Sequence, residues 1–395
     1  MLWDPFKRRP AYFVMIGHSF GHLASVYNYN RRASIVTDIL VKLFHLFAFN
    51  YYDDKFGFTT DALVSEEIAL TAEVHTWLGI DFSARKLQAG QEIDVLGVSY
   101  DFVREQLRVA EARKAELTSA IADVLRADAL EPGPAGKLRG KLGFVSGHYR
   151  GRFGRSFLRA LSERQYAKPR QDWALGPALQ LSLSFWQWLL ARNNEVRALY
   201  SRDADKTVDV IIFTDGYCPE AAKGEAPLAG PGRIGWVAFF KQSGEVFVGS
   251  HDIAARTGEE WLPRKNQINM VELFAPPVVF DVLEHRLRSC RVLLFVDSEA
   301  AEGALIKGYS KFEDVCELAG LFWHMAVRAN AAVYVDRVST DGNPADGPSR
   351  GDVSELTARG AIQVSSCPGP WLMSRLAWRE GVQAEICDNH FCALS

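Results

Sequence analysis

The sequence predicts an α/β (α+β) protein whose centre is a five-stranded mixed sheet with flanking helices. Short apolar runs rich in β-branched and aromatic residues recur after residue 206, and such runs favour strands. The predicted strands are 208–213, 235–240, 245–250, 292–296 and 331–335. Helical stretches at about 267–287 and 311–329 separate the later strands, which is typical of a mixed sheet covered by helices.

The chain before residue 206 is predicted to contain helices and hairpins rather than a large sheet. Up to residue 102, the predicted elements are a strand (11–17), a helix (22–47), a strand–turn–strand (49–58), a helix (65–80) and a hairpin (86–102). A long amphipathic helix (103–130) follows and ends at EPGPAG (131–136). After it come a basic helical segment, a helix (182–199) and a polar linker (201–206). The predicted domains are 1–102, 103–206, 207–350 and an irregular tail, 351–395.

The composition is that of a globular protein inside the cell. The 395 residues are 48% hydrophobic and 24% charged, which allows more than one hydrophobic core. No secretory signal or bilayer-spanning apolar run is visible, so we expect a cytoplasmic or nuclear protein with free thiols. The stretch CDNHFC (387–392) has the residue types of half a zinc site but no second pair at a usual spacing. The oligomeric state stays open.

Four acidic residues stand at the ends of predicted elements in the second half of the chain. Asp215 and Asp297 each follow a strand, Glu272 lies early in a helix, and Asp346 follows the last strand. A single acid after a strand is more often a turn residue than a catalytic one, but four in this order indicate a shared site. Clustered carboxylates need cations to stay ionised, and oxygen ligands suit Mg²⁺, or Mn²⁺ in its place. Two such ions activate water for phosphodiester hydrolysis.

The motifs around these acids resemble the type 1 ribonuclease H domain. IIFTDG, INMVELFA, LLFVDSEAAEGALIKG and STDGNPADGPSR follow one another in that family's order, and the last resembles the N-x-x-A-D-x-x-S-R ending typical of retrotransposon ribonuclease H. The resemblance implies a ribonuclease-H-like fold in which the four acids hold two ions, with Asp341 as the alternative to Asp346. It also implies that water or Asp346 handles protons, because no loop histidine occurs between 325 and 350.

The stretch Tyr51-Tyr52-Asp53-Asp54 resembles the Y-x-D-D turn of reverse transcriptases, although four letters alone also suit a solvated turn. The resemblance implies that Asp53 and Asp54 bind two Mg²⁺ ions. The resemblance extends to HSFGHLASVYNYNRR (18–32), to GIDFSARK (79–86) with Lys86 as a phosphate contact or acid, and to VLGVSYDF (95–102) as a primer-grip hairpin. GKLRGKLGF (136–144) resembles the helix after the thumb in DIRS-like and gypsy-like elements.

One acid of the polymerase family has no counterpart in this sequence. That acid lies on a palm strand upstream of the 18–32 segment, whereas Asp4 precedes a proline and a basic run. A second Mg²⁺ without this ligand loses much of its coordination. We therefore expect residues 1–102 to form a partial palm whose RNA-directed DNA polymerase activity is lost, which primer extension with this chain tests.

A basic segment lies between the predicted palm and the predicted sheet. The formal net charge is only −3, but ten Lys or Arg residues stand between 137 and 170 against one acid, Glu163. The predicted nucleic-acid-binding residues are Lys137, Arg139, Lys141, Arg150, Arg152 and Arg155. Basic side chains along helices bind phosphates without reading sequence, so the expected partner is an RNA–DNA hybrid or template–primer duplex.

These observations predict a fragment of a retroelement reverse transcriptase and ribonuclease H. The expected activity is Mg²⁺-dependent endonucleolytic hydrolysis of RNA in RNA–DNA hybrids. One alternative is a non-catalytic nucleic-acid-binding remnant of a retroelement polyprotein, against which the retention of all four acids argues. Another is a DNA nuclease or transposase of the same fold, against which the NPADGPSR ending and the upstream motifs argue.

Overall fold

The computed structural model gives the chain as two compact units, Met1–Leu96 and Gly97–Ser395. It describes residues 2–4, 6–11, 22–80, 84–148, 152–168, 172–191, 197–198, 207–219, 232–264, 267–365, 369 and 372. None of the helices in these ranges is long and apolar enough to cross a membrane. The predicted half zinc site at 387–392 lies outside the described residues, as do 12–17 of the predicted strand.

The first unit contains the helices and the hairpin that its sequence predicts. Its elements are β1 (Leu2–Asp4), β2 (Arg9–Ala11), α1 (Leu23–Phe44), β3 (Phe47–Tyr51), β4 (Asp54–Phe58), α2 (Val64–Trp77) and β5 (Glu92–Val95). The predicted helices over 22–47 and 65–80 are confirmed by α1 and α2, and the strand–turn–strand by β3 and β4. The short β1–β2 pair was not predicted.

The β3–β4 hairpin presents one face to α1 and the other to solvent. On the inner face, the Lys55 ammonium donates to Ala33 O at 3.1 Å and to Thr37 Oγ1 at 3.0 Å. Thr37 Oγ1 also donates to Asn50 Oδ1 at 2.9 Å. The outer face carries Phe49, which stacks on Phe56 with 5.8 Å between ring centroids. Alternation along each strand explains this division, because successive side chains point to opposite faces.

The second unit begins with strands and a bundle of helices. Its first elements are β6 (Val98–Asp101), β7 (Gln106–Val109), α3 (Glu111–Ala127), α4 (Pro132–Ser146), α5 (Leu158–Gln165), α6 (Pro177–Ala191) and β8 (Arg197–Ala198). The helix predicted over 103–130 is wrong at its start, since 106–109 form β7, paired with β6. There Arg104 N–H donates to Asp101 Oδ1 at 2.8 Å, and this local bond favours a turn over a helix.

Two further boundaries of the bundle differ from the sequence prediction. EPGPAG (131–136) was expected to end the preceding helix, but α3 already ends at Ala127 and α4 begins at Pro132. Proline is favoured in the first turn because the missing N–H has no helical partner there. The helix predicted over 182–199 corresponds to α6, which begins earlier, at Pro177, and the prediction is wrong at its C-terminal end, where 197–198 form β8.

A mixed sheet with helices around it forms the rest of the second unit, as predicted. The strands are β9 (Val210–Tyr217), β10 (Arg233–Phe240), β11 (Val246–Asp252), β12 (Arg291–Val296), β13 (Ala332–Arg337) and β14 (Ile362–Gln363), in the spatial order β13-β12-β9-β10-β11-β14. The pairs β9–β10 and β10–β11 are antiparallel, whereas β12 is parallel to both β9 and β13. The five predicted strands are therefore confirmed.

The helices of the sheet region are α7 (Ala255–Glu259), α8 (Ile268–Val282), α9 (Glu299–Lys307), α10 (Glu313–Arg328), α11 (Asp346–Ser349) and α12 (Ser354–Ala358). The expected helices near 267–287 and 311–329 correspond to α8 and α10. The prediction that the tail is irregular is wrong, because 354–358 are helical. The prediction of five strands is also wrong, because β14 pairs with β11 as a sixth strand. A two-residue strand has no period of its own and depends on the open edge of β11.

One hydrophobic core runs through the helical bundle and the sheet. It includes Leu117 of α3, Leu142 of α4, Trp186 of α6, Phe280 of α8 and Phe322 of α10, all fully buried. The contacts between the bundle and the sheet region run through residues 152–159: the Phe153 ring lies 6.0 Å from that of His324 on α10, and Cys316 Sγ donates to Ser156 O at 3.5 Å. The division of this unit at residue 206 stays a prediction.

Candidate metal centre

Asp215 and Asp297 lie side by side because of the register between two parallel strands. Phe213 of β9 is paired with Phe295 of β12, and their rings stack with 4.9 Å between centroids. Asp215 and Asp297 each follow two residues later, so their side chains extend from the same ends of adjacent strands on the same face. The hydroxyl of Thr340 donates to Asp297 Oδ2 at 3.2 Å and orients this carboxylate.

Glu272 reaches the same place from helix α8, because a glycine lets the helix come close to the sheet. A Cβ atom on Gly216 would stand 2.8 Å from Glu272 N and 2.9 Å from Val271 Cγ1. Gly216 directly follows Asp215 on β9, and its backbone N–H is hydrogen-bonded to the Glu272 carboxylate. The residue at this position must therefore lack a side chain for α8 to deliver Glu272 to the strand end.

Asp346 is brought to the site by α11, which lies directly on β10. Gly235 is paired with Asp215 across β9 and β10, and a Cβ atom there would stand 2.1 Å from Ser349 N. The loop before α11 is fixed by Asn343, whose Nδ2 donates to Thr214 O at 3.0 Å and whose Oδ1 accepts from Ala345 N at 3.1 Å. These contacts hold Asp346 near Asp215.

Three of the four predicted acids form one cluster. Asp215, Glu272 and Asp297 each offer a carboxylate oxygen, and these oxygens lie within 4.8 Å of one another. Asp346 lies outside this set but is close enough for its charge to raise the pKa of Asp215. Its sequence alternative, Asp341, is exposed on the turn Thr340–Gly342 and is not part of the cluster.

Burial and mutual repulsion make the protonated forms favourable in the protein alone. Asp215 and Glu272 are each only 4% exposed. Burial, followed by the charges of Asp215 and Asp297, raises the pKa of Glu272 to about 10. Burial, with the charges of Asp297 and Asp346, raises the pKa of Asp215 to about 6. A cation that neutralises the cluster would reverse this preference.

The donor set fits a hard divalent cation. The ligands are carboxylate oxygens only, which Mg²⁺ and Mn²⁺ prefer over softer metals. Glu272 Oε2 is buried and has no hydrogen-bond partner. An unpaired buried carboxylate oxygen is costly, and a metal ion would supply the missing partner.

A cleft of about 540 Å³ opens beside the cluster. Glu272 and Asp297 line one part of it, and the remainder is lined by polar side chains, such as Asn269 and Ser298, together with the apolar Ile268 and Ala300. Ser298 Oγ lies 3.2 Å from Asn269 Oδ1 and also accepts from Ala301 N at the start of α9. Glu272 and Asp297 of the cluster are thus accessible from this cleft.

The predicted polymerase residues lie on exposed turns of the first unit. Asp53 and Asp54 are exposed at the tip of the β3–β4 hairpin, where Tyr52 has a positive φ of 52°. Lys86 is exposed on the turn Ala84–Lys86. Among the described residues, no third acidic, histidine or cysteine ligand joins the two hairpin carboxylates. Their role stays a prediction from the sequence motif.

Several of the predicted nucleic-acid-binding residues have partners inside the protein. Arg152 Nε donates to Ile306 O at 2.6 Å, and Arg155 Nη1 donates to Lys307 O at 3.2 Å, so both interact with the last turn of α9. Lys141 forms an ion pair with Glu116. Lys137 is exposed and Arg139 is half-buried on α4, whereas Arg150 lies outside the described residues. The nucleic-acid role of these residues stays a prediction.

Sequence reasoning missed the residues that position the acids. Gly216, Gly235 and Asn343 appear in the quoted motifs or strands, but no role was predicted for them. The signal for Gly216 is its place directly after Asp215, where a side chain would block the helix that carries Glu272. No local signal marks Gly235, because its neighbour in space, Ser349, is distant in sequence.

Replacing Gly235 with Ala should separate Asp346 from Asp215. The added methyl group would meet the backbone of Pro348 at 2.4 Å, so α11 must move away from β10. We expect a loss of about 3 kcal/mol in the free energy of unfolding. Urea denaturation measures this loss, and the control is Gly140→Ala on α4, where nothing lies within 4 Å of the added Cβ. Equal stability of both variants would contradict the close approach.

Comparisons with known proteins found similarity in structure only. No protein-family model matches the chain, and no curated protein matches its sequence. Ribonuclease H1 from Halobacterium salinarum has a TM-score of 0.26 and 17% identity, over 34% of this chain and 89% of that chain. The N-terminal ribonuclease H domain of a Mycobacterium tuberculosis protein, solved as a fusion with maltose-binding protein, has a TM-score of 0.28 and 16% identity, over 39% of this chain and 100% of that chain.

Proposed function

We propose that this chain is a Mg²⁺-dependent endonuclease that hydrolyses the RNA strand of RNA–DNA hybrids, within a retroelement reverse transcriptase and ribonuclease H polypeptide. The observation that carries the proposal is the convergence of Asp215, Glu272 and Asp297, from two strands and a helix, within 4.8 Å. The choice of hybrid as substrate and the retroelement origin rest on the sequence motifs, above all NPADGPSR.

The four acids would bind two Mg²⁺ ions, or two Mn²⁺ ions in their place. Asp215, Glu272 and Asp297 would hold one ion, and Asp346 with Asp215 would hold the other. Bound divalent ions lower the pKa of a water and stabilise the leaving oxygen of a phosphodiester. The protein's own part is to fix the ligands: Gly216 and Gly235 permit the close packing, and Thr340 and Asn343 orient Asp297 and the Asp346 loop. Asp346 would also help position the attacking water.

A panel of labelled duplexes tests the proposal. RNA–DNA hybrid, duplex DNA and duplex RNA are incubated with the full chain, with Mg²⁺ and with a chelator. We expect cleavage of the RNA strand of the hybrid alone, and only with Mg²⁺. Cleavage of duplex DNA would instead identify a DNA nuclease or transposase, and binding without cleavage would identify a non-catalytic remnant.

The nuclease proposal does not extend to the β3–β4 hairpin. Asp53 and Asp54 have no third carboxylate beside them among the described residues. Two carboxylates alone are a poor ligand set for two ions. We expect little or no primer extension by this chain, and efficient extension would show that expectation to be wrong.

A further inference from the structure

Asp346 already has a cationic partner within the protein. Arg350 Nε lies 3.2 Å from both carboxylate oxygens of Asp346, and Arg350 Nη2 lies 3.0 Å from Oδ1. Among the described residues, no Lys or Arg side chain forms an ion pair with the other three acids: Glu272 Oε2 is buried without any hydrogen bond, and Asp215 and Asp297 lie close to each other and to Glu272. The free energy of binding a metal ion should therefore differ among the four acids.

Arg350 is held at Asp346 by its surroundings as well as by the ion pair. Its carbonyl oxygen accepts from Arg233 Nη1 at 3.2 Å, while Arg233 Nε pairs with Asp252 Oδ1 at 2.6 Å. Its guanidinium lies over the ring of Tyr217, 5.3 Å from the centroid. The next residue, Gly351, has a φ of 88°, and a Cβ there would stand 1.9 Å from Arg233 Nη1. Arg233 therefore positions the Arg350 backbone, whereas Tyr217 and Asp346 contact its guanidinium, and the side chain stays 57% exposed.

The guanidinium and a metal ion at Asp346 would compete for the same oxygens. Asp215 attracts the guanidinium as well as Asp346, so an ion bridging these two acids would also face the charge of Arg350. A single positive charge a few ångströms from a divalent ion opposes binding appreciably even at the dielectric constant of water.

We propose that Arg350 is an internal counter-cation that weakens the ion site at Asp346, so that the two ions of the centre bind with unequal affinity. This inference rests on the proposed metal-dependent function. The ion held by Asp215, Glu272 and Asp297 binds first, and the ion at Asp346 binds only when it displaces the guanidinium or shares the carboxylate with it.

Calorimetric titration of the full chain with Mn²⁺ tests this order without reference to activity. In the wild type we expect one tighter and one weaker ion. In Arg350→Gln, the Kd of the weaker ion should fall about tenfold, while the Kd of the tighter ion stays within about twofold. Arg350→Lys keeps the positive charge and should retain a weak second ion.

The matched control is Arg359→Gln on α12. Arg359 forms the same kind of pair with a carboxylate four residues earlier, Glu355, at 2.7 Å. The Arg359→Gln variant should leave the Kd of both Mn²⁺ ions unchanged. Two results would overturn the proposed role of the Arg350 charge while leaving the metal-dependent function standing. One is a Kd of the weaker ion in Arg350→Gln that stays within twofold of wild type, and the other is an Arg350→Lys variant that behaves like Arg350→Gln. Absence of any Mn²⁺ binding in the wild type would overturn the metal-dependent function and this inference with it.

Discussion

Replacing Asp297 with Asn is expected to reduce the Mg²⁺-dependent cleavage rate of the hybrid at least about 1,000-fold, or about 4 kcal/mol of transition-state stabilisation. Asp297 is one of the three carboxylates whose oxygens lie within 4.8 Å; it lines the cleft and is the least buried of the three. The amide keeps the shape of the side chain and its contact with Thr340, but it removes the charge that an ion requires.

Binding of the hybrid separates this loss from misfolding. The Asn variant should bind labelled hybrid with a Kd within about threefold of wild type, because phosphate contacts supply most of the affinity. The matched control is Asp336→Asn on β13, an exposed carboxylate that accepts a hydrogen bond from Arg337 N at 2.8 Å. It should cleave at the wild-type rate. An Asp297→Asn variant that still cleaves would remove Asp297 from the centre.

Replacing Glu272 with Gln should stabilise the protein when no divalent ion is present. The native pKa of Glu272 is about 10, well above its usual value of 4.5. A carboxyl with a raised native pKa stabilises the fold below its usual pKa, and that contribution is lost as the pH rises toward the native value. At pH 7.5 in EDTA the Gln variant, which needs no proton, should therefore be more stable by roughly 3 kcal/mol.

The pH dependence gives the sharper measurement. In EDTA, the free energy of unfolding of the wild type should fall steadily above pH 4.5, and Asp215, with a native pKa of about 6, adds to the fall. The Gln variant should lose the part of this slope that continues above pH 6. Urea denaturation from pH 5 to 9 measures both slopes.

An exposed carboxylate is the control for this prediction. Glu355→Gln on α12 removes a charge paired with Arg359 on the surface. Such pairs contribute little, so we expect a change below about 0.5 kcal/mol at every pH. A Glu272→Gln variant that is less stable than wild type in EDTA would contradict the destabilising burial of the Glu272 carboxylate beside two other acids. The Glu272→Gln variant is also expected to lose activity. A variant that is more stable but inactive would show that the wild type gives up stability at a functional site.

The strands and helices were predictable where the local sequence is unambiguous. VDVIIF, GWVAFF and VLLFV are short apolar runs, and β9, β10 and β12 occur there. The errors fall where a tertiary contact outweighs local preference. The sequence over 103–109 continues smoothly into a helical pattern, but pairing with β6 makes it β7. Likewise, α12 and β14 form in a segment that was expected to be irregular; β14 forms there because β11 offers an open edge.

The basic segment shows the same limit for function. Its ten basic residues predict a surface for phosphates, yet Arg152 and Arg155 donate to the carbonyls at the end of α9, and Arg164 donates to Leu130 O at 2.8 Å. A side chain's charge can be read from the sequence. Whether it faces solvent or a helix end depends on which element packs beside it.

By itself, the sequence indicated which carboxylates are candidates for metal binding, and it placed Asp215 at a strand end and Glu272 in a helix, because residue type and periodicity are local properties. It did not predict the short helix α11 that begins at Asp346. Only the tertiary structure decided which acids share a cluster. The parallel register of β9 and β12 sets Asp215 beside Asp297, Gly216 admits α8 with Glu272, and Gly235 admits α11. The tertiary structure also shows that Arg350 forms an ion pair with Asp346. These relations join residues far apart in the chain, and they exist only once the backbone is packed.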